Sequence, residues 1–169
     1  ARYRGVIERL AARTNWGAAL PEGRFRGFAA HNSFHSYVAT VVEIALQPDG
    51  TPRVLRVDTA VDCGRVLNPD GVRAQVEGAT VFGLGLALHG ELSARGGRVE
   101  QGNLGDYRLL RITEAPSVIE AHIVPSEAPP SGIGEPPTPT VAPALAAALF
   151  AATGKRLREL PLLKALAAG

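Results

Sequence analysis

Two runs of alternating side chains joined by a short turn constrain this chain more than any other feature. Over 37–47 the even positions Val38, Thr40, Val42, Ile44 and Leu46 are apolar or β-branched. A period of two places all of them on one face of a strand. Pro48-Asp49-Gly50 follows, where Pro presets φ and Gly accepts φ > 0. A second run over 53–61 then alternates Leu55, Val57, Thr59 and Val61 against Arg56, Asp58 and Ala60. The spacing predicts a hairpin with one buried face, and such a face needs another layer to cover it.

The rest of the chain supplies candidate layers. Val6, Ile7, Leu10 and Ala11 predict a short amphipathic helix over 1–16, stopped by Gly17 and lying at the surface. The segment 24–33 leads into the hairpin. Asn68-Pro69-Asp70 reads as a helix start, with Asn as cap and Pro at the first position. The helix runs to about Leu88 and would bury Val72, Val76, Ala79, Gly83 and Leu86, with Gln75 and Glu77 beside that face. Its glycines Gly71, Gly78, Gly83 and Gly85 each cost about 1 kcal/mol relative to Ala, so something must approach that backbone closely. A small hairpin is expected over 90–101, turning at Arg95-Gly96-Gly97, and a strand over 118–124 with Glu120 and His122 opposite Ile119, Ala121 and Ile123. Thr140 is expected to cap a last main helix with Pro143 in its first turn, ending at Gly154. The fold class is α+β, a mixed or antiparallel sheet with packed helices.

Composition excludes several functions. The 169 residues hold 18 basic and 16 acidic groups spread along the chain, which is no footprint for nucleic acid. No apolar run approaches the ~18–20 residues of a membrane span, and Ala1-Arg2-Tyr3-Arg4 opens no signal peptide. One cysteine, Cys63, rules out an internal disulfide framework and reads as a core thiol. His31, His35, His89 and His122 lack the helical spacing of a metal pair.

The stretch from Pro125 to Pro143 is the least ordinary, with seven prolines and two glycines around Ser131-Gly132-Ile133-Gly134-Glu135-Pro136-Pro137. A residue before proline is pushed to extended backbone, and glycines let main chain pass close to a ligand. The start of the next helix offers free N–H groups to an anion. Glu135 could therefore stand as a general base beside an anionic cofactor. The same residues also describe a Pro-rich crossover with an exposed glutamate.

An ordered series of motifs carries a resemblance. Gly27-Phe28-Ala29-Ala30-His31, Ser36-Tyr37-Val38-Ala39, Val61-Asp62-Cys63-Gly64-Arg65-Val66-Leu67-Asn68-Pro69 and Ala74-Gln75-Val76-Glu77-Gly78-Ala79 come first. Asp106-Tyr107-Arg108-Leu109-Leu110, His122-Ile123-Val124-Pro125-Ser126 and the Glu135 loop follow, then Phe150-Ala151-Ala152-Thr153-Gly154-Lys155-Arg156. Together they resemble the C-terminal part of the molybdenum-binding subunit of the xanthine dehydrogenase and aldehyde oxidoreductase family, nearest its bacterial isoquinoline 1-oxidoreductase β-subunit branch. The resemblance implies that residues 1–169 are the C-terminal portion of a molybdenum-cofactor-binding domain, with the catalytic-glutamate loop at about 131–140. It implies a molybdopterin-dependent oxidoreductase that hydroxylates an aldehyde or N-heteroaromatic substrate with oxygen from water. Glu135 is then the general base toward the hydroxide on molybdenum, and Gln75, Gly132, Ile133 and Gly134 contact the cofactor. The cofactor is implied to be molybdenum-molybdopterin in its cytosine dinucleotide form, with [2Fe-2S] clusters on a partner subunit and the remaining portion of the molybdenum subunit supplied by another chain or by a missing upstream portion. A bacterial setting is expected as well, with the cytoplasm favoured over the periplasm. Pro137 stands where relatives often have Gly, and Thr140 where Pro is frequent. The rival reading is a non-catalytic interaction module that keeps the fold.

Overall fold

In the computed structural model, which describes residues 1–168, helix α1 (Arg2–Thr14) precedes three strands, β1 (Arg24–Ser33), β2 (Ser36–Leu46) and β3 (Pro52–Asp62). Helix α2 (Pro69–Leu88), the small hairpin β4 (Ala94–Arg95) and β5 (Arg98–Val99), strand β6 (Val118–Ile123), helix α3 (Thr138–Thr153) and helix α4 (Leu162–Ala168) follow. The expected hairpin is β2–β3. It forms the middle of a four-stranded sheet ordered β1-β2-β3-β6, antiparallel except for the parallel β3–β6 pair. The sheet is therefore mixed and the class α+β. No helix among the described residues is long and apolar enough to cross a membrane.

The period-two pattern sorts the two faces. Val38, Thr40 and Val42 lie opposite Val61, Thr59 and Val57 on the face covered by α2 and α3. There Val42, Ile44, Val57, Leu84, Val141, Leu145 and Leu149 form the main core. A register shift between Glu43 and Ile44 pairs Ile44 with Val54, so Leu55 has no partner on β2. Val54, only 2% exposed, takes the buried place that strict alternation assigns to Leu55. Helix α3 lies so close to β1 that a Cβ on Gly27 would sit 1.9 Å from the Ala144 carbonyl oxygen.

Helix α1 is a structural layer, against the expectation of a surface piece. Val6 and Leu10 are fully buried against Ala39, Val41 and Ala60. It ends at Asn15 in left-handed backbone, two residues before Gly17. The face it covers also holds buried carboxylates, each paired: Glu43 with Arg24 and Arg26, Asp58 with Arg56 and His122, and Asp62 with Arg2. Burial alone would raise the Asp58 pKa, but hydrogen bonds from His122 and Arg56 outweigh it and hold the carboxyl below its usual range.

Helix α2 starts as expected, the Asn68 side chain accepting from the N–H groups of Asp70 and Gly71. Its buried stripe turns toward Leu84, Ala87 and Leu88, which face α3 and α4, and this leaves Leu86 and Phe82 at the open edge. Of its glycines, Gly83 meets α3, where an added Cβ would come 2.9 Å from Val141. Helix α3 begins at Thr138, two residues before the expected cap, because Pro137 already has helical backbone. Pro143 is therefore inside the helix. Thr140 caps nothing: it is buried in the first turn, and its hydroxyl contacts the Pro137 carbonyl and Thr40 Oγ1, each at 2.6 Å. Gly154, at φ 73°, ends the helix as expected.

Candidate functional site

Because β3 and β6 are parallel, the segments leaving them emerge from the same end of the sheet. The β1–β2 turn lies there too, since Tyr37 pairs with Asp62. Three connections therefore meet at that end: the turn, the segment after β3 leading into α2, and the long loop from β6 to α3.

The long loop is laid along the segment after β3. The Arg65 N–H donates to the Ala128 carbonyl and the Ser131 N–H to the Cys63 carbonyl, both at 2.9 Å. Gly64 makes this possible: its φ is +76°, and a Cβ there would lie 2.1 Å from the Pro129 oxygen. Cys63 is buried in the layer beneath, and burial pushes its thiol pKa up, which leaves it inert. Arg2 grips Asp62 from the α1 side at 2.7 and 2.9 Å.

Beyond Ser131 the residues singled out in the sequence come together. Ile133 packs against Val38, Val61, Cys63, Val72 and Val76. Its partly buried side chain thus anchors the loop on the protein. Gly132 and Gly134 on either side are exposed. A Cβ on Gly134 would lie 3.7 Å from Gln75 Oε1, so the loop and α2 are neighbours at this point. Gln75 is exposed, and its side-chain amide has no protein partner among the described residues. The Glu135 carboxylate is also exposed and free of ion pairs among them. Its carbonyl accepts the Thr138 N–H at 2.9 Å, and Pro136 and Pro137 behind it are buried.

This arrangement offers bare main chain between two glycines, a carboxamide facing it, and a carboxylate held on a proline-stiffened arm. It suits a bulky group rich in polar atoms that comes close to the backbone, with proton transfer at its edge. Among the described residues no three His, Cys, Asp or Glu side chains converge to hold a metal ion, so a metal here would arrive on such a group.

A second feature lies on the outer side of α2. A cleft of about 810 Å³ opens between Gly78, Phe82 and Leu86 on the helix and Tyr107, Arg108 and Leu110 on the following loop. On its walls Phe82 is 62% exposed and Leu109 55%. Apolar exposure on this scale marks a contact face. The sequence did not signal the hydrogen bonds from the β1–β2 turn to the long loop, since Phe34-His35 has no Asn or Gly to announce a tight turn.

Known proteins are similar to the chain in sequence and in fold. The family model described as molybdopterin cofactor-binding domain matches residues 6–116. A membrane-bound aldehyde dehydrogenase [pyrroloquinoline-quinone] of Gluconacetobacter polyoxogenes is 33% identical over 166 residues, covering 95% of this chain and 21% of that protein. The isoquinoline 1-oxidoreductase subunit beta of Brevundimonas diminuta is 32% identical over 166 residues, covering 96% and 21%. Both alignments run across the Glu135 loop, which the family model does not reach. The chain thus spans about a fifth of the length of these relatives. In fold it matches the crystal structure of quinoline 2-oxidoreductase from Pseudomonas putida 86, with a TM-score of 0.71 and 19% identity over 79% of this chain and 18% of the other.

Proposed function

Starting from the fact that the chain belongs to the molybdopterin cofactor-binding domain family, we propose that it forms the glutamate-bearing portion of a molybdenum hydroxylase. Residues 1–169 are read as the C-terminal portion of the cofactor-binding domain. The substrate class is an aldehyde or an N-heteroaromatic compound, and water supplies the oxygen. The observation that carries this reading is the meeting of Gln75, the bare Gly132–Gly134 main chain and the free Glu135 carboxylate at one end of the sheet. A cofactor that approached Gly134 would pass the Gln75 amide, and a side chain on either glycine would fill the space.

In the proposed reaction the molybdenum cofactor, when bound, would accept the two electrons of the substrate carbon–hydrogen bond that breaks as the carbon–oxygen bond forms. Gln75 donates its amide N–H groups to acceptor atoms of that cofactor and orients it. Gly132, Ile133 and Gly134 contribute main chain only. Glu135 takes the proton from the water-derived oxygen nucleophile onto a carboxylate oxygen as the new carbon–oxygen bond forms. The buried Pro136 and Pro137 restrict the arm that carries this carboxylate, so its reach is fixed before substrate arrives. The cytosine dinucleotide form of the cofactor and [2Fe-2S] clusters on a partner subunit complete the proposal. The exposed Phe82 and Leu109 of the cleft beside α2 support further polypeptide of the molybdenum subunit against that helix.

The test is Glu135→Gln in the assembled enzyme. Turnover should fall by about 10²–10⁴-fold, the worth of a positioned general base, while molybdenum content stays near normal. Wild-type turnover in this variant refutes the assignment. A wild-type chain that purifies without molybdenum or a second subunit supports the non-catalytic module instead.

A further inference from the structure

The amino-terminal end of the Glu135 loop is held by the β1–β2 turn, a contact the proposed reaction does not use. That turn has two residues, Phe34 and His35, between the paired Ser33 and Ser36. Both carry positive φ, 51° and 61°, a combination that Asn-Gly satisfies with the least strain. A bulky residue such as Phe in this region is an outlier. Such strain persists where the surroundings over-determine it, and it clusters at functional sites.

Here the surroundings are the loop itself. The Phe34 Cβ is 3.1 Å from where a Cβ on Gly132 would lie. The His35 carbonyl is 3.3 Å from the Ser131 hydroxyl, which can donate to it. Ser36, fully buried, brings its hydroxyl within 2.8 Å of Ser131 Oγ and 2.5 Å of the Gly132 carbonyl oxygen. A hydroxyl has one proton to give, and the carbonyl can only accept. Ser36 therefore donates to Gly132, and Ser131 donates in turn to Ser36 or to His35. In either case the Ser36 hydroxyl is the donor that fixes the Gly132 carbonyl.

We propose that Ser36, set in place by the left-handed Phe34–His35 turn, is a positioning residue that fixes Gly132 and thereby aims Glu135. The loop is then pinned on both sides of the glutamate, by Ser36 before it and by Pro136, Pro137 and the Thr138 N–H after it. This inference rests on the reading of Glu135 as the base.

Ser36→Ala in the assembled enzyme, with activity expressed per bound molybdenum, is the experiment. The expected result is a kcat lower by about tenfold to a hundredfold with KM changed less than about twofold, the pattern of a misaimed catalytic group. Amide hydrogen exchange over 131–135, measured on the same protein, should speed up by about tenfold while exchange in β2 and β3 stays as in wild type. Ser131→Ala, at a partly exposed position, should move both readouts in the same direction by less, and it decides the matter should Ser36→Ala not assemble. Wild-type kcat, or a lost kcat with loop exchange unchanged, overturns the positioning role. Glu135→Gln run alongside separates the two ideas: an active Glu135→Gln enzyme removes the base, whereas an inactive one beside a fully active Ser36→Ala enzyme removes only the positioning.

Discussion

Replacing Gly27 by Ala should unseat α3 from β1 and displace the glutamate arm with it. The new Cβ would lie 1.9 Å from the Ala144 carbonyl oxygen and 2.3 Å from the Ala148 nitrogen. Both are main-chain atoms of a helix, so no side chain can rotate away. Regaining a contact of about 3.5 Å requires the two elements to separate by roughly 1.6 Å over a core that includes Val42, Leu145 and Leu149. Overpacking costs about 1–3 kcal/mol when side chains can adjust, so about 3 kcal/mol is the expected minimum here. At about 2–4 °C per kcal/mol for a chain of this size, Tm should fall by about 6–12 °C. The control is Gly5→Ala within α1, where a Cβ meets nothing within 4 Å; it should stabilise by about 0.5–1 kcal/mol. Thermal and urea unfolding of both variants reads the difference. A Gly27→Ala protein within about 1 kcal/mol of wild type would show that α3 does not lie against β1 as described.

Two further outcomes follow from the same packing. Asn68→Ala removes the acceptor for the Asp70 and Gly71 N–H groups, each bonded at 3.1 Å, and should cost about 1 kcal/mol in urea unfolding; no change would mean the cap is idle. Asp58 and Asp62 have folded pKa values below their usual range: burial alone would raise them, and hydrogen bonds, from His122 and Arg56 to Asp58 and from Arg2 to Asp62, outweigh it. Their stabilisation is therefore complete above the unfolded value of about 3.9 and is lost as pH falls through the lower folded values. Urea midpoints should drop steeply below about pH 4, less so in Asp58→Asn, and a flat profile in the wild type would contradict the pairing.

Local chemistry made much of this fold legible in the sequence. The β2–β3 alternation, the Asn68 cap and the Gly154 stop each depend on residues a few positions apart, so their signals survive in a single sequence. What was not legible depends on distant partners. The extra residue at Leu55 arises from how β3 meets Ile44 across the hairpin, and the burial of α1 depends on Ala39 and Ala60 leaving room for Val6 and Leu10. Leu86 has the right spacing for the core but lies where α2 turns away from α3. At the site, Glu135 and Gln75 were singled out through family resemblance as much as through chemistry. Ser36 carried no local mark, because its partners lie 95 and 96 residues later in the chain.

The parallel pairing of β3 with β6 also has a consequence for the order in which the chain folds. Strands β1, β2 and β3 are joined by short turns and can close quickly through nearby contacts. Strand β6 pairs Val118 with Arg56 only after the polypeptide has passed through the whole of α2 and the small hairpin. The end of the sheet that carries Glu135 depends on those late contacts, so the meander is expected to form first and the glutamate arm to be among the last parts seated.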